Sequence, residues 1–174
     1  MKTKKLLTGL LILTMTSTCF LGCGKNEASD IPFTELGFDT TFDEMTSDLG
    51  DPLSDKEVYL GTTYTYDSDY LELPGNVQYT FDEEGKMASI SWVYTCEDGE
   101  EITGYYNDIH TQLENKLGKS KESTNNVTHL ADIWRLDSGN IELIALVTSD
   151  YNAIMYTYLS PEHSTSAEEI ANNQ

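Results

Sequence analysis

Lys86-Met87-Ala88-Ser89-Ile90-Ser91-Trp92-Val93-Tyr94-Thr95 and Ala153-Ile154-Met155-Tyr156-Thr157-Tyr158-Leu159 are the two stretches whose reading decides the fold. Each alternates large apolar side chains with small or polar ones. Ile90, Trp92 and Tyr94 in the first match Ile154, Tyr156 and Tyr158 in the second, 64 residues on. Side chains two apart share one face of a strand. Working outward, Val77, Tyr79 and Phe81 match Ile141, Leu143 and Ala145 at the same spacing of 64. Tyr64 and Tyr66 match Trp134 and Leu136 at a spacing of 70, so the first hairpin is expected to be six residues longer in the first copy. The expected strands are 57–66, 76–81 and 86–95, then 130–137, 141–148 and 153–159. Glu84-Gly85, Ser138-Gly139-Asn140 and Asp150-Tyr151-Asn152 supply turns.

A helix precedes each set of strands. Thr41-Phe42-Asp43-Glu44 is a capping box, with a hydroxyl at the cap and an acid three residues later. Phe42, Met45 and Leu49 follow at helical spacing, and Gly50 and Pro52 end the run. A second helix is expected over 104–117, with Thr103 as cap and Tyr106, Ile109, Leu113 and Leu117 as its apolar stripe. Gly118 closes it. An apolar sheet face must be covered, and the helix of the same copy is the natural cover. The expected class is α+β: two tandem α-β-β-β modules, residues 38–99 and 100–160, with helices packed on antiparallel sheets.

Phe33-Thr34-Glu35-Leu36, Thr41-Phe42-Asp43-Glu44-Met45 and Leu49-Gly50-Asp51-Pro52 resemble the opening of the helix-then-sheet modules of two related groups. One is the small outer-membrane assembly lipoproteins of the BamE/SmpA type, with one unit. The other is the β-lactamase inhibitor proteins, with two in tandem. The resemblance runs over most of residues 33–159 and implies the fold and a protein-binding role. The Gly that those families often place before the helix is missing here, where Asp39-Thr40 occupies the region. The disulfides of the inhibitor modules have no counterpart.

Residues 1–22 read as an address. Lys2, Lys4 and Lys5 precede a short apolar run from Leu6 to Met15, and small residues follow, as in a secretory signal peptide. The run is shorter than the ~20 apolar residues that cross a bilayer. Gly22-Cys23 resembles a bacterial lipobox, with Phe20 where the pattern prefers Leu. The resemblance implies diacylation of Cys23; Cys19, with no small Gly or Ala before it, is a poorer acceptor. Two acyl chains anchor a domain stably. Residues 23–37 are then lipidated Cys and tether, and 161–174 a polar, disordered tail. The expected location is the cell membrane, lipid-anchored and facing outside the cytoplasm.

The 174 residues carry ten Lys+Arg against thirty Asp+Glu, a net charge of −20. Loss of Lys2, Lys4 and Lys5 with the leader leaves seven cations against thirty acids, or −23. That balance excludes phosphate-neutralising nucleic-acid binding and electrostatic docking on anionic membranes. With Cys23 acylated, Cys96 is the remaining thiol, and no intramolecular disulfide is available.

Little in the sequence carries chemistry. His110, His129 and His163 lack metal-ligand spacing, and none is placed with Cys96. Asp67-Ser68-Asp69-Tyr70-Leu71-Glu72 begins like a calcium loop, yet Glu72 stands where the turn needs Gly. Cys96-Glu97-Asp98-Gly99-Glu100-Glu101 reads as an acidic linker. No enzyme, metal or cofactor is expected.

Two surfaces remain. One is the long hairpin tip, 67–75, with Asp67, Asp69 and Tyr70, because loops that outgrow a repeat carry recognition. The other is the face of the sheets away from the helices. In the first copy it offers hydroxyls, Thr63, Thr65, Thr80, Ser89 and Ser91. In the second it holds Ile133, Arg135, Ile144 and Leu146, too apolar to stay wet: either the chain covers it, for example with Phe33, Leu36 or Phe38, or another molecule does. Arg135 is the sole Arg and is expected to reach Glu142 or a partner carboxylate. The expected function is that of a lipid-anchored extracytoplasmic binding protein that engages another protein through Asp67, Asp69, Tyr70, Ile133, Arg135, Ile144 and Leu146. The alternative is a lipoprotein that binds a small ligand or cell-wall fragment.

Overall fold

A computed structural model describes residues 31–165. The expected leader, Cys19, the acyl site at Cys23 and residues 166–174 of the expected tail lie outside the described residues. In chain order the elements are α1 (Phe42–Leu49), β1 (Ser54–Val58), β2 (Gly61–Tyr70), β3 (Leu73–Phe81), β4 (Met87–Cys96), α2 (Gly99–Leu117), β5 (Glu122–Asn126), β6 (His129–Leu136), β7 (Gly139–Val147) and β8 (Asn152–Leu159). A single 3-10 turn, Pro161–His163, follows. The class is α+β, with two helices on a mainly antiparallel sheet.

The eight strands form one sheet in the order β1-β2-β3-β4-β8-β7-β6-β5. Separate sheets were the sequence expectation, and the register corrects it. Strands β4 and β8 pair antiparallel across the middle, with Trp92 opposite Tyr156 and Ile90 opposite Tyr158. The physical reason is the cost of an open edge: joining the two halves there pairs backbone groups that would otherwise be left to solvent or to another chain. Each helix is also followed by four strands instead of three. The extra ones, β1 and β5, are exposed at every position. Their sequences, Ser-Asp-Lys-Glu-Val and Glu-Ser-Thr-Asn-Asn, have no apolar alternation to reveal them.

The caps work as read at α1 and start earlier than read at α2. Thr41 and Glu44 close the capping box of α1, and Gly50 ends it at φ 81°. Helix α2 begins at Gly99, because Asp98 caps it by accepting from the Glu100 and Glu101 amides at 2.8 and 3.4 Å. The acids read as a solvated linker therefore sit at the positive end of the helix, where negative charge is favourable. The sheet grips both helix ends alike. The Tyr66 hydroxyl donates to the Gly50 carbonyl at 3.1 Å, and Trp134 Nε1 donates to the Gly118 carbonyl at 2.8 Å. Tyr66 and Trp134, which hold the two helix ends, are 68 residues apart, whereas the sequence matching paired Trp134 with Tyr64 at a spacing of 70.

The core lies between the sheet and its helices, and it is continuous through both halves. Residues 31–37, expected in the tether, belong to it in part: Ile31 and Phe33 are buried. Phe33 sits edge-on to Tyr70, Tyr156 and Tyr158, and Thr34 Oγ1 is 2.7 Å from the Tyr79 hydroxyl. The start of the expected tail is also packed. Glu162 meets Lys86 at 2.9 Å, and His163 meets Asp82 at 3.1 Å.

Candidate functional site

The hairpin expected to protrude as a loop is a regular strand pair. Strands β2 and β3 stay in register down to Tyr70 opposite Leu73. The turn is Leu71-Glu72, with both residues at positive φ, 53° and 63°, the geometry that suits a two-residue hairpin. Pro74 and Gly75, inside the expected tip, both lie in β3. Gly75 is small for another reason: a Cβ there would stand 2.5 Å from Trp92 Nε1. Asp67 and Asp69 are exposed, and Asp67 accepts from Asn76 Nδ2 at 3.2 Å. Tyr70 is half-buried and packs edge-on against Phe33 and Trp92. Burial pushes its hydroxyl pKa upward. Tyr70 therefore does not share a solvent-facing tip with Asp67 and Asp69.

The far face of the sheet differs between its halves. In the first half the hydroxyls satisfy one another. Thr63 Oγ1 lies 2.8 Å from Thr80 Oγ1, and Ser91 Oγ lies 2.9 Å from Thr157 Oγ1. Thr63, Thr80, Ser89 and Ser91 are buried, so they offer a polar partner little. In the second half Ile133, Ile144 and Met155 are half-buried and Leu146 is exposed. Phe33, one of the expected covers, packs on the opposite, helix-bearing face. Leu36 and Phe38 join that same core. Arg135 is committed within the chain. Its Nε donates to Glu122 Oε1 at 2.8 Å and its Nη1 to the Thr165 carbonyl at 2.7 Å. Glu122, on β5, takes the place expected for Glu142 or a partner. Burial raises the Glu142 pKa, against the opposing influence of Arg135.

Two apolar side chains that sequence reading missed stand at the outer hairpin turns. Tyr59, between β1 and β2, is fully exposed, and Val127, between β5 and β6, is 93% exposed. They are 68 residues apart, the spacing of the helix-end hydrogen bonds. Tyr59 was hidden because Val58-Tyr59-Leu60 was read as part of the expected strand 57–66, and Val127 because a lone apolar residue between Asn126 and Thr128 gave no signal.

A second missed constellation lies under α2. Asp132 is 4% exposed and faces the helix. Its carboxylate accepts from the Tyr106 hydroxyl and from Ser120 Oγ, and His110 Nε2 is 3.4 Å away. Burial, then the hydrogen bond to Asp132, drives the Tyr106 pKa far upward, so the phenol stays protonated as donor. The ring of His110 stacks on Tyr106. Ser120 and His110 both address the carboxylate, so the group is a satisfied buried acid and not the nucleophile-to-base pair that acyl transfer needs. The period-two position of Asp132, between Leu130 and Trp134, was the signal that could have found it. Cys96 is half-buried, and its Sγ lies 3.1 Å from the Asp98 carbonyl. Among the described residues no group of three or more His, Cys, Asp or Glu is placed to hold a metal ion. No described helix is long and apolar enough to cross a membrane.

A cleft of about 260 Å³ opens between the C-terminal half of α2, the β6–β7 turn and the central tyrosines, with Pro32 at its edge. Tyr156 and Tyr158 form part of its wall and their hydroxyls are 2.7 Å apart. Burial, reinforced by Tyr158, raises the Tyr156 pKa strongly and keeps that hydroxyl neutral.

No protein-family model and no curated protein matches this chain. Among solved structures it is similar to a DUF4309 family protein, YjgB, from Bacillus subtilis subsp. subtilis str. 168. The identity is 13%, over 70% of this chain and 79% of the other, with a TM-score of 0.43.

Proposed function

We propose that this chain is a lipid-anchored extracytoplasmic protein without catalytic activity, which binds another protein through the far face of its sheet. The observation that carries this reading is the one-sidedness of the packing. Helices α1 and α2 and residues 31–34 pack on one face. The other presents Ile133, Ile144, Leu146 and Met155 on the neighbouring strands β6, β7 and β8. Surface apolar groups that are contiguous and rimmed by polar residues mark interaction sites. The two exposed carboxylates Asp67 and Asp69 lie at the far end of the β2–β3 hairpin and contribute charge, not an anchor. The chain is built, on this reading, as two copies of one helix and four strands. Support comes from the like grip of Tyr66 and Trp134 on the two helix ends and from the mirrored strand order. The resemblance to tandem inhibitor-type modules points the same way. Membrane attachment rests on the lipobox-like Gly22-Cys23 and predicts that Cys23→Ser moves the protein out of the membrane fraction.

The test places a photo-crosslinking residue at Leu146 and, separately, at Asn107, an exposed position on α2. A discrete adduct formed from Leu146, absent from Asn107 and lost on Ile144→Glu, is the expected result. Equal adducts from both positions, or adducts indifferent to Ile144→Glu, overturn the proposal.

A further inference from the structure

The apolar patch on the far face begins beside the point where the described residues end. On β6, Arg135 and Ile133 share that face. On β7, Asn140, Glu142 and Ile144 share it, alternating with the inward Ile141 and Leu143. Ile133 stands opposite Glu142, and Ile144 stands opposite Met155. Two far-face side chains hold one carbonyl. Arg135 Nη1 donates to the Thr165 oxygen at 2.7 Å, and Asn140 Nδ2 donates to it at 3.4 Å. The Asn140 amide also donates to Ser164 Oγ at 2.8 Å. Residues 164–165 are thereby bound to the far face, at the end of the patch nearest the β6–β7 turn.

One acceptor is unmet there. Asn140 is 3% exposed, and among the described residues its Oδ1 finds no donor. Buried acceptors in folded proteins are nearly always satisfied. The next backbone amides in the chain are those just past Thr165, whose carbonyl the same side chain already holds. The sequence then supplies Ala167, Ile170 and Ala171, three and four apart, the interval that gathers side chains on one side of a helical turn, with Glu168 and Glu169 on the other. The distances match. Ile133 lies ~7 Å along its strand from Arg135, and Ile144 ~14 Å along its strand from Asn140. Ile170 is five residues past Thr165, a reach of up to ~17 Å.

We propose that residues 166–174 are the resident occupant of this patch. Ile170 lies on Ile133 and Ile144, a backbone amide just past Thr165 donates to Asn140 Oδ1, and a protein partner displaces the segment in order to bind. This rests on the far-face reading above and adds its regulation. The short tether keeps Ile170 at high local concentration, so a contact too weak to hold two separate molecules persists within one chain. A partner meets only the uncovered fraction, and its apparent affinity falls by that fraction.

The full chain in phosphatidylcholine nanodiscs, an equal mixture of unlabelled and nitrogen-15-labelled copies, carries a photo-crosslinking residue at position 170. Irradiation is expected to join it to a peptide bearing Ile133, Ile144 or Met155 of the same isotope. Arg135→Gln, which frees Thr165, should cut the yield at least fivefold. Should that variant unfold on heating much earlier than the parent, Ile144→Glu on the patch itself gives the same readout. Absence of an adduct, adducts on α1 or α2, mixed-isotope adducts, or a yield indifferent to the variants each overturns the proposal. Ile170→Glu should also raise the partner adduct formed from Leu146 about tenfold, the factor one buried aliphatic side chain supplies; an unchanged yield overturns the displacement. A partner adduct from Leu146 without an internal one from position 170 defeats the cover and leaves the protein-binding reading intact. An internal adduct with no partner captured even in Ile170→Glu defeats that reading and leaves the cover in place.

Discussion

The two halves of the sheet solve one packing problem with different materials. In the first half, α1 has eight residues and buries one of them, Met45. In the second, α2 has nineteen and buries Ile102, Tyr106, Ile109 and Leu113. A short lid leaves volume to fill, and the first half fills it with rings. Tyr64, Phe81 and Phe42 pack against one another, while Tyr66 meets Tyr79 and Phe33 comes in from the N-terminal segment. Beneath the longer helix the aliphatic Ile141, Leu143, Ala145 and Ile154 take most of the strand positions, with Trp134 and Tyr156 as the large rings among them. The two halves thus reach the same close packing with different shares of lid and ring.

Truncations on the two helices test that contrast most strongly. Ile109→Ala should cost ~2–5 kcal/mol in urea unfolding, because the side chain is 1% exposed and its removal leaves a cavity. Phe42→Ala should cost clearly less, because Phe42 is already 37% exposed. Equal losses would break the idea that the first half leans on its rings and its N-terminal segment more than on its helix.

The next largest effect concerns Asp132, which at the spacing of 68 stands where the first half has Tyr64. Asp132→Leu strands the Tyr106 hydroxyl and Ser120 and should lower stability by about 1–3 kcal/mol. Asp132→Asn keeps an acceptor and should lose less. If Leu proves as stable as Asp, the carboxylate is not what holds α2 to β6. The helix-end bonds give a smaller and more even effect. Tyr66→Phe should cost ~1 kcal/mol, and Trp134→Phe the same plus whatever the smaller ring leaves unfilled. A loss confined to one of the two would show that the helix ends are gripped differently.

The smallest effect is one of sign. Burial raises the Glu142 carboxyl above its ordinary value of 4.5. The folded chain therefore holds this proton more tightly than the unfolded one. The stabilisation is full below the unfolded pKa and fades as pH rises through the folded value. Glu142→Gln should flatten that decline in thermal unfolding between pH 4 and pH 7. A decline of unchanged slope would assign it to other carboxylates.

Legibility in the sequence followed chemistry that is local. The box at Thr41 and Glu44 and the stops at Gly50 and Gly118 could be read because each cap is made within a few residues. The helix-facing positions of β3, β4, β7 and β8 could be read because alternation is a property of one strand. Strands β1 and β5 could not, being exposed on both faces. The Leu71-Glu72 turn lay unmarked inside the expected tip 67–75, where Gly75 answers to Trp92 across the sheet. For the candidate surfaces, sequence found the apolar far face but misplaced Tyr70 and the partner of Arg135, since both depend on which strands lie side by side.

By itself the amino-acid sequence determined the class, the two helices and which side chains of the central strands point inward. Those follow from capping, periodicity and the need to bury apolar surface. Tertiary structure alone decided that the halves fuse through β4 and β8 into one sheet, that Asp132 and its partners meet beneath α2, and that a cleft remains there. Pairing and proximity across distant segments are not encoded in the pattern of any single strand; they are settled where edges seek hydrogen bonds and side chains compete for the same space.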